Sequence, residues 1–366
     1  MGKEKAFYLK DQIGPDFIFA LADAVQQHDL NFNQQDFKAM VQEQLLDLEL
    51  KARISWVATC LHAFLPSAYP EAIKILKLAG PAFKEMPALV FPEFVHQFGM
   101  DDWDTSLPAL ATFTSLCSSE FAVRPFILAD QDRMMQQMEN WAASDNEDLR
   151  RLATEGCRPR LPWGLALKAF QKDPAPILPI LEKLKGDPSE YVRRSVANNL
   201  NDISKDHPDL VLDLADRWFG QQAETDKLLK HALRGLLKQG NKRALRLFGF
   251  ADPEHIHIEH FELRQSMLSI GEKLDFDFSF IVREKGTWKL RIEYAVFYVK
   301  SNGSHSKKVF QLTEKLFEGY QSYQFKRSQH FRDLTTRKHY PGLHHISLLI
   351  NGEAITTHTF KLLASA

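Results

Sequence analysis

Several things are scarce in this chain. It has three cysteines in 366 residues, Cys60, Cys117 and Cys157, far apart and odd in number. That argues against a disulfide framework or a thiolate metal cage, and leads us to expect a reducing, cytoplasmic setting. No apolar run reaches the roughly 18–20 residues needed to cross a bilayer. The first ten residues mix acidic and basic side chains without an apolar stretch, so no export signal is expected. A glycine-rich phosphate loop and a Gly-x-Ser-x-Gly elbow are both missing, which leaves ATP use and serine hydrolysis unsupported. Net charge is also nearly absent, at −1.

That balance hides an asymmetry. Residues 1–144 carry 11 Lys and Arg against 19 Asp and Glu, a net of −8. Residues 145–253 carry 19 against 16, and residues 254–366 carry 16 against 12 together with nine of the 14 histidines. A polyanionic partner is therefore allowed, but only on part of the surface. The same asymmetry also fits ordinary variation of charge along a chain.

What is present is a change of period. Up to about residue 250 apolar residues recur three and four apart, as in Phe17 to Val25, Phe37 to Leu50 and Ile54 to Phe64. An internal repeat runs through this part. Leu149-Arg150-Arg151 aligns near Val192-Arg193-Arg194 at an offset of 43, and Leu229-Lys230-His231 falls on the same triplet at an offset of 37. The stretch from Ser119-Glu120 to Val123-Arg124 is a weaker, earlier copy. A period near 40 with short paired helices resembles HEAT repeats. In the best copy Asp187 and Ser189 are expected to cap a helix with Pro188 in its first turn. Val192, Val196 and Leu200 are expected to form its buried stripe.

From about residue 254 the pattern alternates. In "KLDFDFSFIV" Leu274, Phe276, Phe278 and Phe280 take one face, Asp275, Asp277 and Ser279 the other. Lys289 to Lys300 reads as another strand, and Asn351-Gly352 as a hairpin turn. The run from Tyr340 to His344 resembles the tyrosine corner of immunoglobulin-like sandwiches. The expected architecture is multidomain, α then β. An α–α HEAT-like solenoid spans residues 1–253, and an immunoglobulin-like β-sandwich spans 254–366.

Four groups of residues invite chemistry. On the repeats, Arg151 and Glu155 align with Arg194 and Asn198, and Asp202 lies one turn beyond. Stacked repeats could gather these residues, with Glu120, on one surface; equally, Arg151 and Glu155 form an i,i+4 ion pair on a solvated face. After the helix, Arg158, Arg160 and Trp163 suit phosphate contact and stacking. The other reading is that Pro159 and Pro162 fix a turn while Trp163 fills a gap between repeats. Phe325 to His339, read as lying between strands, offers Lys326, Arg327, Arg332, Arg337 and Lys338. With Lys307 and Lys308 in an earlier loop it reads as a phosphate-facing surface or as a solvated loop. His255 and His257 would share a strand face near His260, yet no carboxylate or thiolate pattern completes a metal site. No metal is expected.

Three segments together, "SSEFAVRPFI", "RRLATEGCRPRLPWG" and "DPSEYVRRSVANNLNDISKDHP", resemble the bacterial DNA alkylation repair glycosylases of the AlkC/AlkD type. The likeness covers most of the chain, and the C-terminal domain resembles the AlkC branch, since AlkD lacks it. The resemblance implies a DNA-N-glycosylase that removes cationic N-alkylated bases, chiefly 3-methyladenine and in the AlkC branch also 3-methylcytosine. It implies duplex DNA carrying alkylated bases as partner, a monomer, and no cofactor. Residue by residue it makes Glu120, Glu155 and Asp202 the active-site carboxylates. Trp163 becomes the aromatic, and Arg151 the arginine of that face. Phosphate contacts are then expected from Arg158, Arg160, Arg193, Arg194 and Lys230 and from the basic residues of the β domain. It also implies a lesion held in bent DNA without a deep pocket. Two rival readings remain: a non-catalytic protein that binds branched or distorted DNA, and a solenoid that binds proteins.

Overall fold

The computed structural model describes residues 8–333 and 338–364. Its residues sort into two compact units. One holds the chain up to residue 206 together with 220–232, and the other holds 207–219 together with 233 onwards. No helix among the described residues is long and apolar enough to cross a membrane.

The first unit is helical. Short polar side chains start many of its helices. Asn33, Asp102, Asp130 and Asn146 each accept a backbone N–H of the following first turn, which satisfies donors that a helix leaves open. The region read as periodic from Phe37 to Leu50 is broken. A helix covers Gln34–Gln42 and a 3-10 turn covers Leu45–Asp47. In the repeat region the helices Glu147–Glu155, Glu190–Ile203 and Ala223–Ala232 lie side by side. Val192, Val196 and Leu200 are fully buried, as their four-residue spacing requires.

The start of the 190–203 helix differs from expectation. Ser189 sits at the cap position without capping through its side chain. Its hydroxyl instead donates to Glu147 of the preceding repeat. Asp187 accepts the Ser189 N–H at 2.8 Å, and Pro188 lies ahead of the first turn rather than in it. The acidic start therefore stitches one repeat to the next. A partly buried ion pair between Arg150 Nε and Asp187 Oδ2, at 2.6 Å, does the same.

The β part of the second unit comprises β1 (Ile256–Leu263), β2 (Met267–Ser269), β3 (Lys273–Val282), β4 (Thr287–Val299), β5 (His305–Glu318), β6 (Ser322–His330), β7 (Gly342–Ile350) and β8 (Glu353–Leu363). One sheet runs β1-β3-β6, the other β2-β8-β7-β4-β5, with β2 and β8 the parallel pair. Leu274, Phe276, Phe278 and Phe280 all point into the core, where they meet Ile292, Ile346, Leu348 and Phe360. Asn351 (φ 49°) and Gly352 (φ 78°) make the β7–β8 turn with the two positive angles of a type I′ hairpin. Gly352 has a second constraint: a Cβ there would lie 2.3 Å from Gly240 Cα.

Two expectations about this domain are corrected. Lys307 and Lys308 stand on β5, and Lys326 and Arg327 on β6, not in loops. Both strands are sheet edges, so each has an unpaired side and a largely solvated face that tolerates charge. Arg332 and Lys338 do lie outside strands; Arg337 lies outside the described residues. Tyr340 contributes its backbone carbonyl, which accepts from His344 Nε2 at 3.0 Å, where a tyrosine corner would use the hydroxyl.

Candidate active site

The last turn of the 147–155 helix presents Arg151 and Glu155 four residues apart. The neighbouring 190–203 helix presents Ser195 and Asp202. Between them comes Arg158, from the irregular segment that follows Glu155. Its Nη1 donates to Glu155 Oε1 at 2.6 Å and its Nε to Asp202 Oδ2 at 2.9 Å. All three side chains are buried, Glu155 at 5%, Arg158 at 7% and Asp202 at 1% exposure. Two carboxylates so deep need a compensating charge, and one planar guanidinium serves both. Burial by itself would lower the Arg158 affinity for its proton. The adjoining Glu155 and Asp202 outweigh that and hold it above the usual arginine value. Arg158, expected at a phosphate, is thus a link inside the carboxylate pair.

The remaining oxygens are also accounted for. Ser195 Oγ donates to Glu155 Oε2 at 2.6 Å, and Thr154 Oγ1 donates in turn to Ser195. Lys205 Nζ reaches Asp202 Oδ1 at 3.0 Å. Glu120 arrives from the turn before the helix Val123–Ala129. Arg151 Nη1 donates to Glu120 Oε2 at 2.5 Å, and its Nη2 lies 3.6 Å from Glu155 Oε1. Ser118 Oγ contacts both Arg151 and Glu120, at 2.7 and 2.8 Å. The Tyr191 ring covers the guanidinium at 5.1 Å. The i,i+4 pair therefore exists but lies on no solvated face, and the repeats do bring Glu120, Arg151, Glu155 and Asp202 together.

Trp163 stands apart in character. It is 60% exposed and holds φ +65°, a backbone region costly for a residue with a Cβ. Such strain persists only where the surroundings impose it. Here Arg124 imposes it. That side chain is fully buried, with Nη1 donating to Gly156 O at 2.9 Å and Nε to Leu165 O at 2.5 Å, so it ties both ends of the segment. Burial draws its guanidinium down to about 10. Lys51 Nζ clamps the Trp163 carbonyl at 2.6 Å. Trp163 thus fills no gap between repeats; it is held outward. A cleft of about 390 Å³ is lined by Trp163, Glu120, Glu155 and Arg158. Asp202 lies behind Arg158 and is not part of that lining.

Other expected residues sit elsewhere. Arg160 makes a two-pronged contact with Asp206, at 2.8 and 3.2 Å, near the surface. Arg193 donates to the carbonyls of Asp187 and Pro188 at 2.6 and 2.9 Å. Arg194 pairs with Glu190 at 2.7 Å on an exposed face, away from the carboxylates. Lys230 is exposed on the 223–232 helix. In the β part His255 lies 3.4 Å from Glu284, and His260 lies 3.0 Å from Asp277. Among the described residues no group of three or more His, Cys, Asp or Glu could hold a metal ion. Sequence reasoning missed Ser118, Tyr191 and Ser195, and read Arg124 only as part of a repeat. A polar residue on the inward face of a helix was the available signal, as Ser195 beside Val196 illustrates.

Three comparisons bear on this arrangement. Residues 114–236 match the family described as DNA alkylation repair enzyme, and residues 257–364 match the YhaZ C-terminal Ig-like domain. The chain is 44% identical to the Bacillus subtilis (strain 168) protein YhaZ over 97% of its own length and 99% of that protein's. It is 38% identical to the Pseudomonas fluorescens alkylpurine DNA glycosylase AlkC, solved bound to DNA containing an abasic site analog. That match has a TM-score of 0.93 and covers 97% of this chain and 99% of the other.

Proposed function

The chain belongs to the AlkC branch of the DNA alkylation repair enzymes, and from that premise we propose that it is a DNA glycosylase. It excises cationic N-alkylated bases, 3-methyladenine and 3-methylcytosine, from duplex DNA. The observation that carries this reading is the cleft where Trp163, Glu120 and Glu155 converge, with Asp202 coupled to it through Arg158. The residue types suit the reaction. A base methylated at N3 is already cationic, so the C1′–N bond breaks with its electron pair going to the base and little acid help is needed. Positive charge then grows on the sugar. Glu120 and Glu155 set carboxylate oxygens in the cleft wall, where they stabilise that charge. Glu155 faces the cleft and receives the proton of the water that attacks C1′. Paired carboxylates serve glycosidases in the same way. Trp163 offers an electron-rich face to the cationic base or sugar. Arg160, Arg193, Arg194 and Lys230 are assigned to phosphates; for Arg160 and Arg194 a phosphate would replace the carboxylate each now contacts. The protein acts as a monomer in the cytoplasm.

The test is release of free 3-methyladenine and 3-methylcytosine from methylated duplex DNA. The wild type should release both. The double variant Glu155→Gln/Asp202→Asn should lose at least 100-fold in rate, the order of loss seen for removed electrostatic groups, while still binding DNA. Tight binding with no release above that variant would overturn the reading in favour of a non-catalytic protein for distorted DNA.

A further inference from the structure

Behind Trp163 lies a second cavity, of about 380 Å³, that the proposed chemistry does not use. Its volume falls within the range of about 300–1,000 Å³ typical of small-ligand sites. It adjoins the cleft: Met86, Leu89, Ser118, Phe121 and Trp163 line both. The rest of its wall is largely apolar, from Leu50, Ile54, Pro92 and Leu165. One carboxylate enters it, that of Glu93, set in a small polar network. Gln97 Nε2 donates to Glu93 Oε1 at 3.0 Å, His96 Nδ1 lies 3.6 Å from Oε2, and Gln97 also binds Ser55 Oγ at 2.7 Å. Burial pushes the Glu93 carboxyl up, but His96 and Gln97 more than offset it and hold it below the usual range.

We propose that this cavity binds the free nitrogen base after excision, with the ring against Trp163 and Phe121 and a base N–H donated to Glu93. This inference rests on the glycosylase reading for the origin of its ligand. The chemistry selects the class of ligand. Two aromatic rings and a largely apolar wall suit a flat heteroaromatic molecule. A half-buried carboxylate acceptor suits one that carries ring or exocyclic N–H groups. Phosphate is disfavoured beside the Glu93 carboxylate, which repels it. A nucleotide would therefore bind worse than its base. The shared Trp163 wall sets the cavity next to the cleft where the base is released, and its retention there would slow turnover by product inhibition.

The experiment is calorimetric titration of the full chain, without DNA, by 3-methyladenine and by AMP. Saturable binding of 3-methyladenine is expected, with AMP at least tenfold weaker. Ala52→Trp fills the cavity from an exposed position on its rim, and Glu93→Gln removes the charged acceptor at constant size. Each should weaken binding at least tenfold and leave single-turnover base release unchanged. If Ala52→Trp does not fold, Glu93→Gln carries the test alone. No saturable binding, or binding that the variants leave intact, overturns the proposal. Base release without base binding would sink this inference alone, whereas no release would sink the glycosylase reading and with it the origin of the ligand, even where the base still binds.

Discussion

Arg158 is the residue on which the site's electrostatics turn. Its guanidinium bridges two carboxylates at 2.6 and 2.9 Å, so removing it leaves Glu155 and Asp202 buried and facing one another. Breaking a buried pair in this way costs about 3–5 kcal/mol. Arg158→Met should therefore lower the melting temperature. Adding Glu155→Gln and Asp202→Asn should restore most of the loss; a triple variant no more stable than Arg158→Met would contradict this account. His344 gives a second test at the same scale. It is fully buried, and its Nδ1 has no partner among the described residues. Burial pulls it below its ordinary 6.5, the Tyr340 carbonyl opposes this, and His339, His305 and His345 add to the lowering. The unfolded chain thus binds the proton more readily than the folded one. Stability is full above about pH 6.5 and falls as pH drops below it. Melting curves from pH 7.5 to 5 should show this slope, and His344→Gln, which keeps an N–H donor but cannot titrate, should flatten it.

Elements differ in how openly the sequence declares them. The β3 strand and the β7–β8 turn were legible because alternation and Asn-Gly are local signals with a direct mechanical cause. The buried stripe of the 190–203 helix was legible for the same reason. The segment 156–165 was not. Its spacing revealed unusual residues, but an irregular backbone has no period, so nothing in the spacing told that Arg158 turns inward while Trp163 turns out. The family resemblance, rather than the spacing, separated Glu155 from an ordinary surface pair. β5 and β6 failed differently: a sheet edge can be charged along its length, which hides the alternation. The strain in the 156–165 segment supports a specific expectation. Trp163 holds φ +65°, where glycine is at ease. Trp163→Gly should leave the melting temperature unchanged or slightly higher, by relief of roughly 1–3 kcal/mol of backbone strain against added chain entropy. It should reduce base release at least tenfold. A clear loss of stability would instead make Trp163 a structural plug.

Across the whole molecule the charge is uneven, −8 over residues 1–144 and positive thereafter. A protein that neutralises phosphates releases counterions, so its DNA affinity falls with salt at a logarithmic slope of about −0.9 per phosphate on duplex DNA. The β domain is assigned a share of that contact through the edge strands β5 and β6, where Lys307, Lys308, Lys326 and Arg327 lie. These strands leave a common turn at which the Phe317 and Tyr323 rings stand 4.8 Å apart, so one packed corner joins them. Replacing all four cations by alanine should weaken binding to undamaged and damaged duplex alike, since phosphates carry no sequence information. The salt slope should flatten by up to about 3.6 if each cation meets one phosphate. Chain stability should hardly change, because the cations are exposed. Titrations of a fluorescent duplex from 50 to 300 mM salt measure the slope directly. A weaker complex with an unaltered slope would remove these strands from the DNA interface and leave phosphate contact to the helical repeats alone.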